Sequence, residues 1–396
     1  MALFSSARRV LLSAVLAASM LPTAAWAIPQ LLVDANTMEV LFEEDAGQPW
    51  HPASLTKLMT AFVTFQAIAE GRVSLDTPVV LSRTAVSQAP ASSGLKADSA
   101  LSMKDALYVM LVKSANDVAW AIAETVGGTK ENFVNEMNAT AARMGLTATH
   151  YNNPNGLPDD GQVSSARDLA VLALYIRQMY PQYLTIFKTE AVTLGKQRLK
   201  TNNDLLTHFA GTTGMKTGYI CASGLNIVAT VERNGRSLLA VVLGGSSGRE
   251  RGEMTAQLFL RGLAGALKGT GRSVTDIKNT GGAATDMRNL LCGKGAADYV
   301  AQRKAEFPLG LKGQPSYLTD EVHGQVYAAT DLGRRRDVPL PLPRPSGAPQ
   351  AVAIADPEPR TPPSDATSPT TPTVGGDGQG APIPMPRLDR GGLAAR

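Results

Sequence analysis

The first regular pattern in the chain is a pair of short apolar runs near the start. Residues 31–33 and 40–42 are apolar and flank Asp34-Ala35-Asn36-Thr37, a stretch rich in turn-forming residues. Two apolar runs joined in this way are typical of a β-hairpin. The pattern therefore predicts two early strands within residues 28–45.

A second strand region follows Gly211 and is predicted to extend over residues 211–245. Its runs 225–231 and 237–244 flank Asn234-Gly235. This dipeptide favours a tight hairpin turn because both positions tolerate positive φ. Strands are therefore predicted at both ends of the first 250 residues.

Between about residues 51 and 180 the apolar spacing becomes helical. Phe133, Met137, Ala141 and Met144 recur at intervals of three and four residues, and a further helix is predicted over about 250–267. Helices inserted between distant strands predict an α+β fold, an α/β sandwich in which helices flank one antiparallel sheet. An all-helical subdomain is expected over about residues 70–180, with the ligand-binding cleft between the two lobes.

The two ends of the chain differ in composition from this predicted folded region. Arg8 and Arg9 precede an apolar run at 10–21 and the small-residue site Ala25-Trp26-Ala27, so residues 1–27 are predicted to be a signal peptide. The run is shorter than the roughly 20 residues of a membrane span. General secretion to the periplasm is expected, and the arginine pair leaves the twin-arginine route open.

Toward the other end, more than half of the 25 prolines follow Arg336. A segment rich in Pro, Gly, Ser and Thr buries too little apolar surface to offset its ordering entropy, so residues 337–396 are predicted to be a disordered tail. The main folded domain is assigned to residues 28–270. Residues 271–336 are expected to form a short mixed segment.

The two cysteines, Cys221 and Cys292, both lie in the exported part of the chain. An even number of cysteines in an oxidising compartment favours a disulfide, although two buried thiols remain the alternative. The net charge of +4 is modest and comes partly from the terminal arginines, so nothing indicates a nucleic-acid partner. Scattered histidines at positions 51, 150, 208 and 323 lack metal-ligand spacing, so neither a metal site nor a cofactor is predicted.

Ser54 and Lys57 form the first candidate for chemistry, at the start of a helix that Pro52 precedes. A spacing of three residues places both side chains on one helix face, and a helix N-terminus favours negative charge on the serine oxygen. Lysine is then positioned to act as a base. Read alone, the pair also fits a capping serine followed by a solvated lysine.

Ser114-Ala115-Asn116 is the second candidate and follows a helix predicted to begin near Ser102. A serine and an amide at a junction between helices can point into the cleft, where the serine passes a proton to a leaving amine. An ordinary loop is the alternative interpretation.

Lys216-Thr217-Gly218 is the third candidate, at the start of the second strand region. The lysine and threonine suit a terminal carboxylate, and glycine keeps side-chain bulk away from an approaching ligand. A basic residue at a strand end is the plainer alternative.

These three weak motifs occur in an order typical of penicillin-binding proteins and serine β-lactamases. Over roughly residues 28–268, the chain resembles the low-molecular-mass D-alanyl-D-alanine carboxypeptidases, peptidase family S11. The resemblance rests on the sequence stretches 53–60, Ser114-Ala115-Asn116-Asp117, 153–158 and 214–219. The resemblance implies the penicillin-binding, β-lactamase-like transpeptidase fold. It implies peptidoglycan stem peptides as substrate and β-lactams as covalent inhibitors.

The resemblance also implies a role for each motif residue. Ser54 would be the acylated nucleophile, and backbone amides of Ser54 and Tyr219 would form the oxyanion hole. The catalytic set is Ser54, Lys57 and Ser114, and the substrate-binding set is Asn116, Lys216, Thr217, Gly218 and Tyr219.

Well-known family members continue into a β-rich domain and an amphipathic membrane helix. This chain has the mixed segment and proline-rich tail instead, so at most peripheral membrane contact is expected.

Two other functions fit parts of the sequence. A serine β-lactamase needs a base for deacylation, and Glu131 in Glu131-Asn132-Phe133-Val134-Asn135 superficially matches its loop. Phe133 and Val134 follow a helical period, however, so this stretch is predicted to be helix. A non-catalytic peptidoglycan-binding envelope protein is the second alternative, and the retention of both Ser54 and Lys57 argues against it.

Overall fold

A computed structural model describes residues 28–335 of the chain. The predicted signal peptide and the predicted proline-rich tail lie outside the described residues. The largest sheet is antiparallel, has five strands in the order β2-β1-β9-β8-β7, and joins the two strand regions as expected. Its strands are β1 (Gln30–Asp34), β2 (Val40–Glu44), β7 (Thr212–Ile220), β8 (Gly224–Arg233) and β9 (Arg236–Gly245).

Both faces of this sheet are covered, which explains the nearly continuous apolar run of β9. Along β1, Leu31 and Val33 join the core beneath the helical subdomain, whereas Leu32 joins the core on the opposite face. Successive strand residues point to opposite faces, so one strand contributes to two cores. A helix corresponding to the predicted 250–267 covers that second face and spans Gly248–Leu263.

Helices are the predominant regular elements over residues 70–180, the range of the predicted subdomain. Serine or threonine side chains accept a hydrogen bond from the backbone two or three residues into several helices, as Ser102 does from the Asp105 amide. The helices of this region are α1 (Lys57–Ala69), α2 (Arg83–Val86), α3 (Met103–Val112), α4 (Asn116–Gly127), α5 (Lys130–Arg143) and α6 (Ala166–Met179).

The subdomain is not all-helical, which corrects the sequence prediction. Strands β3 (Pro78–Val80) and β4 (Ala100–Ser102) pair antiparallel within it. Three-residue strands are too short to show a two-residue period, and only the fold brings the two segments together.

The mixed segment packs against the catalytic body through a second unpredicted sheet. Its strands β5 (Thr189–Leu194), β6 (Gln197–Lys200) and β10 (Gln325–Ala329) lie in the order β10-β5-β6. Tyr327 on β10 stacks on Tyr108 with ring centroids 3.5 Å apart and donates to Asp105 at 2.7 Å. Strand β10 pairs parallel to β5, so the segment returns to the helical subdomain. The remaining α-helices of the described residues are α7 (Leu184–Phe187), α8 (Leu205–His208), α9 (Gly248–Leu263), α10 (Arg288–Leu291) and α11 (Ala296–Glu306).

A disulfide between Cys221 and Cys292, as predicted, fastens this segment to the sheet next to β7. The two residues are 71 positions apart in the chain. Closing a loop of that size lowers the entropy of the unfolded chain, which stabilises the fold by about 4 kcal/mol in the chain-entropy model.

Replacing both cysteines by serine is expected to lower the melting temperature by about 6 °C, since unfolding entropy scales at about 2.1 cal/mol/K per residue. The measurement is thermal unfolding of the exported, oxidised protein beside the Cys221→Ser/Cys292→Ser variant. Adding a dithiol reductant should lower the melting temperature of the wild type alone. Equal melting temperatures without reductant would contradict the stabilising role.

Candidate active site

Ser54 lies in a single 3₁₀ turn, Ala53–Thr56, which leads directly into α1. Lys57 is the first residue of α1, and its Nζ lies 3.0 Å from Ser54 Oγ. The side chain of Lys57 is completely buried, whereas Ser54 is partly exposed. The predicted pair is therefore a surface-accessible hydroxyl over a buried amine, not a capping serine with a solvated lysine.

Two further oxygen atoms surround the Lys57 amine. Its Nζ donates to Asn116 Oδ1 at 2.7 Å and to the backbone oxygen of Asn155. A neutral amine has two N–H donors and one lone pair. It can therefore donate to these two oxygens and accept the proton of the Ser54 hydroxyl.

The environment favours this neutral form. Burial, followed by the positive charge of Lys216, lowers the pKa of Lys57 well below its ordinary value, and the negative charge of Asp117 opposes the shift. Burial raises the pKa of a carboxyl group and lowers that of an amine because the charged form loses hydration. A lysine of this kind has the properties of a general base.

Asn155 was not singled out by the analysis of residue chemistry, because it acts through its backbone oxygen. The loop that carries it packs tightly against the Ser54 turn. Gly156 has a φ of +83°, and a side chain there would collide with the backbone oxygen of Ala53. The sequence signal was the stretch 153–158, which the family resemblance included without giving it a role.

Ser114 and Asn116 occupy the junction between α3 and α4, as predicted. Ser114 adopts a left-handed conformation with a φ of +64°, and such strained non-glycine residues are concentrated at functional sites. The backbone amide of Asn116 donates to the backbone oxygen of Ala91. The Asp117 carboxylate accepts hydrogen bonds from the backbone amide and the hydroxyl of Ser93. The junction therefore also holds the loop that forms one rim of the cleft.

Lys216, Thr217 and Gly218 lie on β7, the edge strand of the main sheet. Lys216 is buried, and its Nζ donates to the Thr217 backbone oxygen at 2.8 Å. Burial, together with the nearby charge of Arg251, lowers the pKa of Lys216 to about 7. A bound anion would restore its positive charge.

Gly218 is required by the close approach of β7 to the Ser54 turn. A Cβ at this position would lie 2.9 Å from the Pro52 oxygen and 3.0 Å from the Ser54 nitrogen. Only glycine allows this separation without displacing one of the two backbones. The same approach places the Ser54 amide beside the strand that carries Tyr219.

An open cleft of about 450 Å³ connects these three motifs. Ser54, Ser114, Thr217, Gly218 and Tyr219 all line it, whereas Lys57 lies beneath its floor. The remaining lining residues are Pro90, Ala91, Thr201, Asn202, Asp204, Leu225, Gly248 and Arg251.

Arg251 is the main residue that the sequence analysis missed. It is buried, lines the cleft from the first turn of α9, and donates to the Asn202 oxygen at 2.8 Å. Its sequence context is an ordinary amphipathic helix, so no local pattern distinguishes it from the neighbouring Arg249. The packing of α9 against the sheet alone brings its guanidinium to the cleft.

Glu131, the residue that a β-lactamase interpretation requires, has no hydrogen bond or ion pair with Ser54, Lys57 or Ser114 among the described contacts. It is in the first turn of α5, largely exposed, with Lys130 Nζ 3.5 Å away. It does not line the cleft. The prediction that 131–135 is helix is confirmed.

Comparison with known sequences gives a consistent result. The family model described as D-alanyl-D-alanine carboxypeptidase, peptidase S11, matches residues 17–247, which is more than half of the chain. The D-alanyl-D-alanine carboxypeptidase DacC of Escherichia coli is 33% identical over 240 residues, covering 59% of this chain and 60% of the relative. The chain therefore matches less than two thirds of that relative's length.

Solved structures show the same relationship. Penicillin-binding protein 5 from Haemophilus influenzae is 30% identical with a TM-score of 0.57, over 60% of this chain and 70% of the other. Penicillin-binding protein D2 from Listeria monocytogenes, solved with cefotaxime bound, is 30% identical with a TM-score of 0.54, over 59% of this chain and 96% of the other. The extent of the family match and the shared fold show that this chain belongs to the D-alanyl-D-alanine carboxypeptidase family, peptidase family S11.

Proposed function

We propose that this protein is a serine D-alanyl-D-alanine carboxypeptidase that removes the terminal D-alanine from peptidoglycan pentapeptide stems. The observation that carries the proposal is the buried Lys57 amine, 3.0 Å from the Ser54 hydroxyl at the floor of an open cleft. A serine next to a base is the arrangement needed for an acyl-enzyme.

In the acylation step, the Ser54 hydroxyl transfers its proton to the neutral Lys57 amine while its Oγ attacks the carbonyl carbon of the penultimate D-alanine. The Ser54 and Tyr219 amides stabilise the resulting oxyanion. The bond to the terminal D-alanine nitrogen then breaks. Ser114 donates its hydroxyl proton to that leaving amine and takes up the proton held by Lys57, which leaves Lys57 neutral again. Asn116 holds Lys57 through its Oδ1 and presents its amide group to the substrate.

In the deacylation step, a water molecule attacks the Ser54 ester, and Lys57 accepts the proton of that water. The ester bond breaks, Lys57 returns this proton to the Ser54 oxygen, and the shortened stem leaves with its new carboxyl group. Lys57 can serve twice because it is neutral at the start of each step.

Recognition of the terminal carboxylate is assigned to Lys216, Thr217 and Arg251. Lys216 and Arg251 bring positive charge to the same end of the cleft. The two side chains are close enough that the charge of Arg251 lowers the pKa of Lys216. A desolvated carboxylate needs paired, charged hydrogen-bond donors. Selectivity for a free chain end therefore follows from the two cations.

Arg251→Gln is expected to raise KM for a D-Ala-D-Ala peptide about 10- to 100-fold, because a hydrogen bond to a charged group contributes about 1.5–3 kcal/mol. Steady-state kinetics of D-alanine release gives the value. Arg261→Gln, an exposed position on the same helix, is the matched control and should leave KM unchanged. An unchanged KM for Arg251→Gln would remove Arg251 from the carboxylate site.

Incubation with a pentapeptide-bearing muropeptide, followed by mass analysis of the products, tests the proposed activity. Loss of one alanine from each stem is expected. Hydrolysis of benzylpenicillin with no change in the muropeptide would instead identify a β-lactamase, and an unchanged muropeptide with stable binding would identify a non-catalytic protein.

We further propose that β-lactams acylate Ser54. Penicillin-binding protein D2 from Listeria monocytogenes was solved in cefotaxime-bound and ampicillin-bound forms. These drugs carry a carboxylate next to a strained amide, which matches a cleft with both a nucleophile and cationic anchors.

We place the activity in the periplasm, where the predicted signal peptide would deliver the chain and where its proposed substrate is accessible. Residues 28–335 contain no helix that is long and apolar enough to cross a membrane. Detergent-free fractionation of cells that express the protein tests this location, and recovery in the cytoplasm would contradict it.

A further inference from the structure

Tyr219 has an environment that its backbone role in the oxyanion hole does not require. Its side chain is 50% exposed, and among residues 28–335 it is one of three exposed large apolar side chains. Neighbouring Lys216 and Thr217 on the same strand are buried. An aromatic ring exposed at the wall of a cleft is suited to contact a ligand.

The direction of β7 indicates which part of a substrate Tyr219 would meet. Residues 217 and 219 point to the same side of the strand and are separated by about 6.6 Å. A peptide that adds to this sheet edge antiparallel to β7, with its carboxylate at Thr217, runs past Tyr219 with its preceding residues. Tyr219 therefore lies on the side of the acyl-forming residue, not on that of the departing D-alanine.

The disulfide contacts the hydroxyl group of Tyr219. Tyr219 Oη lies 3.4 Å from Cys292 Sγ and 3.9 Å from Cys221 Sγ. Cys292 follows α10, which is also anchored where the Met287 amide donates to the Ala222 oxygen. Since the family match ends at residue 247, this support comes from a part of the chain outside that match.

We propose that the Tyr219 side chain, held in place by the Cys221–Cys292 disulfide, forms the wall of a subsite for the side chain of the residue that precedes D-Ala-D-Ala. This inference rests on the proposed carboxypeptidase function and extends it to substrate selection. Tyr219 is a specificity-determining residue, and the two cysteines are positioning residues. The ring offers an apolar face, so the subsite favours a substrate residue with a long aliphatic side chain over glycine, which has no side chain.

Two matched peptides test the proposal, diacetyl-L-Lys-D-Ala-D-Ala and acetyl-Gly-D-Ala-D-Ala. The measured quantity is the ratio of their kcat/KM values, which cancels any general loss of activity. Wild type is expected to prefer the lysine peptide, and Tyr219→Ala is expected to lower this preference about tenfold, mainly through KM. Tyr219→Phe keeps the ring but removes the Oη contact with the disulfide, so it should keep more of the preference than Tyr219→Ala and lose about as much as the cysteine variant.

The disulfide provides an independent arm. The Cys221→Ser/Cys292→Ser variant, and wild type treated with dithiothreitol, should both lose part of the preference while still releasing D-alanine from the glycine peptide. The serine variant should not respond to dithiothreitol. The anchor at Met287 keeps α10 in place, so loss of the disulfide should affect the tyrosine more than the fold.

Each outcome decides between separate conclusions. If Tyr219→Ala lowers both peptides equally, the subsite is overturned while the carboxypeptidase function stands. If Tyr219→Ala lowers the preference but the cysteine variant does not, the subsite stands without the supporting role of the disulfide. If wild type releases D-alanine from neither peptide, the proposed function and the subsite both fail.

Discussion

Ser54→Ala is expected to abolish D-alanine release, with a fall in kcat of about 10⁴-fold or more, and to prevent covalent labelling by a fluorescent penicillin. The reason is that the proposed acyl bond forms on the Ser54 oxygen, which alanine lacks. The substitution removes one partly exposed atom above Lys57, so the fold should remain intact. Labelling after denaturing electrophoresis and release of D-alanine are the two measurements.

Ser87→Ala is the matched control for this substitution. Ser87 is at the end of α2, and its hydroxyl donates to the Thr84 oxygen, away from the cleft lining. Full activity and full labelling are expected for the control. Labelling of Ser54→Ala at the wild-type level would show that another nucleophile reacts and would overturn the assignment.

Lys57→Ala is expected to slow acylation by about 10²- to 10⁴-fold, the usual contribution of a general base. Lys57→Arg separates the base from its charge, because arginine stays protonated at all ordinary pH values. If Lys57 acts as a base, both variants lose acylation. If Lys57 only supplied positive charge, the Lys57→Arg variant would retain acylation.

The pH dependence of acylation provides a second test of the same residue. In the proposed mechanism, acylation requires neutral Lys57, so the acylation rate should fall as the pH drops through the pKa of this amine. Burial is the first cause of its low pKa and Lys216 the second. Lys216→Met removes that charge and should raise the pKa of Lys57, which moves the acid limb of the limiting acylation rate to higher pH. An unmoved limb would contradict the coupling between the two lysines.

The sequence by itself determined the elements with strong local signals. The Asn234-Gly235 turn, the helical period around Phe133 and Met137, and the helix that begins next to Ser102 all appear in the structure as predicted. Each of these depends on a few adjacent residues, whose backbone preferences act before any long-range contact forms. The order of the three motifs was also sufficient to indicate the family.

The tertiary structure decided what depends on distant segments meeting. The strands Pro78–Val80 and Ala100–Ser102 are too short to show a period, and they are strands only because they pair. Arg251 has the local pattern of any surface helix, yet packing places it in the cleft. Lys57 is suited to its proposed role as a base because the fold buries it completely and places Asn116 Oδ1 and the Asn155 backbone oxygen beside its Nζ. Burial and pairing are properties of the assembled fold, so composition and spacing along the chain do not encode them locally.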